Sequence, residues 1–416
     1  ELQGTPTLGT LAPINLPTGT LMNQGTLSGQ SYGIVNATTI GAFAANADVL
    51  GSLAVLRNSG TLSGTKAALL NNGSVGTLAN SSLISGNGTG IINQNNIGGV
   101  GNSGTIIGTF GINNFGTISL LSNGGSISGS LEGISNEGHI DALSNSGSIS
   151  GAISYGIYNG GSINSISNKA GGTISGRAYG IFNSSQYSGG GTIGSLSNGG
   201  VISGQTGIYL GGASTTLTNT GTIIGSGGTA IRIANTASTI ILGTGSSVQG
   251  TINAGTTAST ILLQGDPVMG TTTPINNPNG SLTIASTGNW TVNDTWTVGT
   301  VSNQGILTIA AVSGTTSSPG LLSLTGNYVQ ASTGTLAMIV TPNGTLAGTD
   351  YSQLAITGSA QLAGVLNSLD EGSFVQNGST NVYDLITASN GISGSFATVN
   401  YDPLFASYIT PRLSYT

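Results

Sequence analysis

The sequence predicts an all-β chain that folds as a right-handed parallel β-helix, with three short strands in each coil of about 22 residues. Two observations lead to this prediction. Two asparagine-containing motifs recur at nearly constant spacing, and glycine is abundant, at 72 of 416 residues. The repeat is too short for the usual helical-pair repeats, and glycine costs about 1 kcal/mol per helical position relative to alanine.

The first motif reads Asn-x-Gly-Thr/Ser-Ile/Leu-x-Gly, and the second reads Gly-Ile-x-Asn. The first motif and its variants begin at Asn23, Asn58, Asn80, Asn102, Asn123, Asn145, Asn168, Asn198 and Asn219. The second motif and its variants end at Asn36, Asn71, Asn93, Asn114, Asn136, Asn159 and Asn183. Spacings of 13 and 9 residues alternate between the two series, which makes one repeat 22 residues long.

Each repeat holds three β-type segments, for example 147–151, 155–158 and 162–167. Stacked coils would pair these segments in parallel, about 4.8 Å apart, so that residues one repeat apart lie directly above one another. We expect Ile149, Ile157 and Ile163 to point inward. The asparagines are predicted to occupy turns and to hydrogen-bond along the stack.

Four regions follow from the pattern: an N-terminal cap or tail (1–20), regular coils (21–265), transitional coils (266–320) and a C-terminal β cap (321–416). Two insertions interrupt the spacing, within 40–56 and around 184–191. Insertions in such repeats form loops on one face, often the binding face, so either loop contacts a partner or is a tolerated excursion.

The last region carries three elements in order: Leu-Thr-Gly-Asn-Tyr at 324–328, Asp-Tyr-x-x-Leu-x-Ile-x-Gly at 350–358, and Gly-Ser-Phe at 394–396. In these elements it resembles the pertactin-like C-terminal cap of type V bacterial autotransporter passenger domains. The resemblance implies a passenger exposed on the bacterial cell surface, outer-membrane anchored or secreted. It also implies a cap that assists folding and, as a partner, an outer-membrane barrel that this sequence lacks.

Composition excludes several classes of protein. Charged residues make up 4% of the chain, the net charge is −6, and cysteine is absent. A chain so poor in Lys and Arg does not suit nucleic acid. The absence of cysteine excludes disulfides and thiolate chemistry. No run approaches the roughly 20 apolar residues that span a bilayer as a helix. We expect no cofactor.

Candidate catalytic and metal-binding residues are few. The single histidine, His139, is predicted to be an exposed turn residue, because no protease or esterase signature surrounds a candidate serine. Glu132, Glu137 and Asp141 form a local acidic cluster that could hold Ca²⁺ weakly, although a solvated acidic patch explains it equally. The sequence therefore predicts neither a catalytic residue nor a metal site.

Strand parity identifies the outward positions. On either side of the inward Ile/Leu of the first motif, hydroxyl residues recur from coil to coil. Hydroxyl rows in register could pair with the same face of a second copy, or they are simply small residues suited to a β surface. The residues predicted to form this self-association face are Thr61, Ser63, Thr105, Ser126, Ser128, Ser148, Ser150, Thr173 and Ser175.

A second outward column is predicted at the third position of Gly-Ile-x-Asn, reading Val35, Leu70, Ile92, Asn113, Ser135, Tyr158, Phe182 and Tyr209. Its aromatic members Tyr158, Phe182 and Tyr209, with Tyr187 in the nearby insertion, suit a sugar ring or a protein partner. They could instead pack under a loop.

These patterns predict an adhesin and not an enzyme. In the first hypothesis the passenger self-associates with copies on neighbouring cells and so promotes aggregation and biofilm formation, as in the self-associating autotransporter adhesins that it resembles. In the second hypothesis it binds a host glycan or matrix protein through the aromatic column. A clumping assay and a glycan array would separate the two.

Overall fold

The computed structural model describes residues 14–15, 19–37, 48–50, 52–184, 190–267, 273–341, 344–370, 382–403 and 412–415. The chain divides into two compact units. The first comprises Glu1–Leu217 and Gly221–Thr236, and the second comprises Thr218–Thr220 and Ala237–Thr416. The described residues are almost entirely strands and tight turns, which confirms the predicted all-β class.

The first 25 strands are β1 (Ile14–Asn15), β2 (Thr20–Asn23), β3 (Thr26–Gly29), β4 (Tyr32–Ala37), β5 (Asp48–Leu50), β6 (Ser52–Asn58), β7 (Thr61–Gly64), β8 (Ala67–Asn71), β9 (Ser74–Asn80), β10 (Leu83–Gly86), β11 (Thr89–Asn93), β12 (Asn96–Asn102), β13 (Thr105–Asn114), β14 (Thr117–Asn123), β15 (Ser126–Asn136), β16 (His139–Asn145), β17 (Ser148–Gly151), β18 (Tyr155–Asn159), β19 (Ser162–Asn168), β20 (Thr173–Gly176), β21 (Tyr179–Asn183), β22 (Thr192–Asn198), β23 (Val201–Leu210), β24 (Thr216–Asn219) and β25 (Thr222–Ile233).

The remaining strands are β26 (Thr239–Leu242), β27 (Ser247–Asn253), β28 (Thr260–Leu263), β29 (Ile275–Ile284), β30 (Asn289–Val292), β31 (Asp294–Asn303), β32 (Ile306–Ser313), β33 (Thr316–Pro319), β34 (Leu321–Gln330), β35 (Thr335–Val340), β36 (Gln353–Ile356), β37 (Ala360–Leu362), β38 (Val365–Asp370), β39 (Ile386–Ala388), β40 (Ile392–Gly394) and β41 (Thr398–Tyr401).

The first unit is a parallel β-helix, as predicted. Its strands stack in three columns, and every pairing between neighbouring coils is parallel. Column A runs through β2, β6, β9, β12, β14, β16, β19 and β22. Column B runs through β3, β7, β10, the start of β13 and of β15, β17, β20 and the start of β23 and of β25. Column C runs through β4, β8, β11, the end of β13 and of β15, β18, β21 and the end of β23 and of β25.

The interior of each coil is apolar, with one polar ladder at the end of column A and another at the end of column C. Ile149, Ile157 and Ile163 are fully buried, as predicted from the motif. At both ladders, each asparagine Nδ2 donates to the Oδ1 of the asparagine one coil further along, at 2.7 or 2.8 Å. The ladder bonds therefore satisfy amides that would be costly to bury alone.

The insertion within 40–56 contains a strand that covers the first coil. Strand β5 pairs in parallel with β4, placing Val49 beside Asn36, and β1 pairs in turn with β5. An open strand edge is a template for pairing with other chains, and a covering strand removes it. The described part of this insertion is therefore part of the sheet at the start of column C.

The second unit also consists mainly of parallel strands, but its C-terminal coils are longer. Leu322, Leu354 and Ile386 stand in register on β34, β36 and β39, with 32 residues between successive positions. Strands β35, β38 and β41 form a parallel set of their own, while β32 and β33 form an antiparallel hairpin. The region that resembles the autotransporter cap is thus built from parallel strands, and its role as a cap stays a prediction.

Candidate binding surfaces of the first unit

The hydroxyl residues predicted as a self-association face lie on column B, and the pairings place them in two straight rows. One row contains Thr61, Thr105, Ser126, Ser148 and Thr173. The other contains Ser63, Ser128, Ser150 and Ser175. All nine residues are half-buried or exposed, as strand positions that face away from the core should be. We call these nine residues the hydroxyl face.

The hydroxyl face is shorter than the sequence predicted, because apolar residues stand in register within its rows. Leu83 separates Thr61 from Thr105 in one row. Ile107, which is 41% exposed, stands next to Ser128 in the other. The motif spacing overlooked both residues because the motif variants that contain them are degenerate at these positions. The uninterrupted part spans the four coils from Thr105 to Thr173.

Within that part, the hydroxyl groups are free to bond outside the chain. Among the described residues, no side-chain hydroxyl of Ser126, Ser128, Ser148 or Ser150 has a hydrogen-bond partner in the protein. No charged residue stands in either row between Thr105 and Thr173. A surface with this composition offers many donors and acceptors and little electrostatic repulsion to a similar surface.

The aromatic residues predicted on column C do lie on consecutive coils. Tyr158, Phe182 and Tyr209 are direct register partners on β18, β21 and β23. Two further rings, Tyr155 and Tyr179, are register partners three residues earlier on β18 and β21. All five are half-buried, and together they form what we call the aromatic strip.

The rings of the aromatic strip pack mainly against one another. The Phe182 ring stacks on Tyr209 at a centroid distance of 4.7 Å and an interplanar angle of 15°, and on Tyr155 at 4.9 Å and 13°. The rings of Tyr158 and Phe182 are also nearly parallel, at 6.0 Å and 14°. A sugar ring stacks on an open aromatic face. Here most faces are already occupied by neighbouring rings, so edges and phenol groups form the accessible part.

The ends of the aromatic strip differ in charge. At one end, the guanidinium Cζ of Arg232 lies 5.7 Å from the centre of the Tyr209 ring, within the range of a cation–π contact. At the other end, Glu132 is the register partner of Tyr155. The turn glycine Gly211 makes room for Tyr209, because a Cβ at that position would stand 2.3 Å from Tyr209 Cε1.

The predicted exposure of the rest of this column is wrong at three positions. Val35 is 0% exposed, Leu70 is 4% exposed and Ser135 is 5% exposed. Val35 and Leu70 form a small apolar cluster of their own, against which Tyr32 and Ile92 pack. A single column can therefore change from buried to half-exposed along its length. Tyr187 lies outside the described residues.

Glu132 is a buried acid. It is 8% exposed, and one of its carboxylate oxygens, Oε2, has no hydrogen-bond partner among the described residues. Burial raises the pKa of Glu132 to about 7, against the smaller lowering effect of a hydrogen bond with Ser135, while the charge of Glu137 adds to the rise. The negative charge of Glu132 in turn contributes, after burial, to a raised pKa of the Tyr155 phenol.

His139 is not the exposed turn residue that the sequence predicted. It begins strand β16, its Nε2 lies 2.6 Å from Asp141 Oδ1, and its Nδ1 lies 2.6 Å from Ser162 Oγ on the next coil. The order Ser–His–Asp is that of a nucleophilic triad, and it could transfer a proton from the serine. Sequence reasoning missed Ser162, although the 23-residue register of His139 with Ser162 would have found it.

The surroundings of this triad do not stabilise an oxyanion. The backbone N–H of Ser162 donates to the carbonyl of Gly138 at 2.9 Å, and β19 is paired on both sides, to β16 and β22. Catalysis of acyl transfer needs free donors directed at the developing negative charge. At this place the sheet uses its own donors, so the arrangement carries no proposal of hydrolysis.

The acidic cluster predicted from the sequence separates in the fold. Glu132 is buried on column C, whereas Asp141 accepts hydrogen bonds from Asn164 Nδ2 at 3.1 Å and lies beside His139 on column A. In the part of the chain that the structure describes, no three His, Asp or Glu side chains are grouped so that they could hold a metal ion. A search of the same residues finds no helix long and apolar enough to cross a membrane.

Comparison with known proteins adds no relative. No protein family, no curated protein and no solved structure matches this sequence or fold. The resemblance to autotransporter passengers therefore depends on the three motifs in residues 324–396 and on the coil repeat alone.

Proposed function

We propose that this chain is a bacterial surface adhesin of the autotransporter passenger type, without enzymatic activity, that self-associates through the hydroxyl face. The observation that carries the proposal is the register of four successive coils, which places Thr105, Ser126, Ser148 and Thr173 above one another. The parallel row through Ser128, Ser150 and Ser175 adds further hydroxyl groups on the same coils.

The energetics favour many weak contacts. A single neutral hydrogen bond across an interface contributes about 1 kcal/mol net. Two copies aligned in register would make several such bonds at once, and copies displayed on cells would add avidity. The absence of charge on these rows removes the repulsion that separates most protein surfaces.

A clumping assay with cells that display the chain tests this proposal. The double variant Thr105→Asp with Ser128→Asp places two negative charges on the hydroxyl face without putting them on adjacent residues of one row. We expect cells displaying the unchanged chain to settle together, and cells displaying the variant to stay in suspension.

A matched control uses column A. Ser122 and Ser167 occupy one outward position, two coils apart, in the register of β14, β16 and β19. The variant Ser122→Asp with Ser167→Asp should clump like the unchanged chain. Equal clumping of the column B variant and the unchanged chain would show that the hydroxyl face is not the interface.

A second candidate function is binding of a host glycan or matrix protein at the aromatic strip. The half-exposed edges of five clustered aromatic residues favour it, since such residues supply much of the energy at protein interfaces. A glycan array and a panel of matrix proteins test it. Tyr158→Ala and Phe182→Ala should weaken binding while clumping persists.

A further inference from the structure

The geometry at the lower end of the aromatic strip concerns a second binding site, on column C and separate from the hydroxyl face. Phe110, Glu132 and Tyr155 are successive register partners on β13, β15 and β18. Strand spacing puts the two aromatic positions about 10 Å apart, with the glutamate position between them.

Two buried acceptors in this place have no donor. Glu132 Oε2 and Asn113 Oδ1 are both buried, and neither has a hydrogen-bond partner among the described residues. Asn113 is the register partner of Ser135 on the coil that carries Glu132, so the two acceptors belong to neighbouring coils. Unpaired buried acceptors cost free energy unless a ligand or a proton satisfies them.

The charge of Glu132 also lacks a counter-ion. The one ion pair in the described part of the chain joins His139 and Asp141. Of the groups that face Glu132, Glu137 is acidic, Tyr155 on β18 is a phenol, and β13 presents only the uncharged Phe110 and Asn113. The site is therefore negative or protonated, and its aromatic walls also attract cations.

We infer that Phe110, Asn113, Glu132 and Tyr155 form a site for a primary ammonium group, specifically the side chain of a lysine on a partner protein. A primary ammonium is a compact cation with three donors and no acceptor. It would neutralise Glu132, donate to both unpaired acceptors, and contact the rings of Phe110 and Tyr155. A bound ammonium takes the place of the proton that the buried carboxyl otherwise holds.

Titration of the whole chain with Nα-acetyl-lysine methylamide, followed by calorimetry and by NMR of the tyrosine rings, tests the inference. We expect saturable binding that is at least about tenfold tighter near pH 8 than near pH 5.5, because Glu132 must lose its proton for the ammonium to bind. The matching norleucine derivative should not bind. Equal affinity at both pH values, or no saturable binding, would overturn the inference.

Variants identify the site. Glu132→Gln keeps the shape of the side chain and should weaken binding at least about tenfold, and Tyr155→Leu should weaken it by removing one aromatic wall. Glu137→Gln is the matched control and should leave binding unchanged. Undiminished binding to Glu132→Gln would refute the site, and tetramethylammonium binding as tightly as the lysine derivative would refute the role of the two acceptors. Neither result would bear on clumping through column B.

Discussion

The two units of this chain stabilise parallel coils in different ways. In the first unit, coils of about 22 residues keep asparagines in register, and the amides form two continuous buried ladders. In the second unit, the C-terminal coils place register partners 32 residues apart, and large side chains such as Trp296 and Tyr328 fill the interior. A constant coil length permits a polar ladder, whereas variable coils depend on apolar volume.

The transition between these modes is visible in one network of the second unit. Asn303 Nδ2 donates to Gln330 Oε1 at 3.1 Å and to the carbonyl of Thr335 at 2.9 Å. Gln330 in turn accepts the hydroxyl of Tyr328, which is fully buried and whose pKa burial raises. Asn303 thus retains one ladder-like bond, while its own Oδ1 has no partner among the described residues.

The largest expected effect is the loss of a central ladder asparagine. Asn145→Leu deprives both Asn123 Nδ2 and Asn168 Oδ1 of their partner in the ladder. We expect the free energy of unfolding to fall by about 4 kcal/mol, measured by urea denaturation, because two buried polar groups lose a bond. Asn303→Leu should cost about half as much, since its Oδ1 makes no bond to lose. Equal losses would contradict the distinction between the units.

As the control for Asn145→Leu, Ser144→Ala changes a half-buried outward residue on the same strand. Its effect should stay within about 0.5 kcal/mol.

A second prediction concerns the pH dependence of the first unit. Burial raises the pKa of Glu132 to about 7 from an ordinary value of 4.5, so the folded state holds a proton that the unfolded state releases between these values. Stability is greatest below pH 4.5 and is lost as the pH rises towards 7, by about 3 kcal/mol in total. Denaturation at a series of pH values should show this loss, and Glu132→Gln should abolish it. An unchanged slope in the variant would contradict the assignment.

A third prediction compares the two tryptophans of the second unit. Trp296 Nε1 donates to the carbonyl of Thr273 at 3.2 Å, whereas Trp290 Nε1 has no partner among the described residues. Both replacements by Phe lose packing volume, but only Trp296→Phe breaks a hydrogen bond. We expect Trp296→Phe to be the more destabilising by about 1 kcal/mol in thermal or urea unfolding. The reverse order would show that packing at Trp290 dominates.

The smallest expected effect distinguishes two adjacent glycines of the first unit. A Cβ at Gly99 would meet no atom within 4 Å, whereas a Cβ at Gly98 would stand 2.6 Å from the carbonyl oxygen of Gly76. Gly99→Ala should therefore stabilise the chain by about 0.5 kcal/mol by restricting the unfolded state, and Gly98→Ala should destabilise it. Melting temperatures of the two variants check this, and a stabilising Gly98→Ala would contradict the close approach of the coils at this position.

The repeat could be predicted because stacking turns spacing into contact. Once Asn123 and Asn145 lie one coil apart, their hydrogen bond and the burial of Ile149 follow from strand geometry alone. The same logic placed Tyr158 and Phe182 on adjacent coils. It did not find Tyr155 or the interruption at Ile107, since neither matched the motif used to align the coils.

The sequence by itself determined which residues share a column, because a constant repeat and strand alternation are properties of spacing. Only the tertiary structure decided what each column became. It buried Val35 and left Phe182 half-exposed on the same column, and it placed Glu132 beside Tyr155 without a donor for Oε2. The physical reason is that exposure and pKa depend on the side chains above, below and beside a residue, which no single repeat contains.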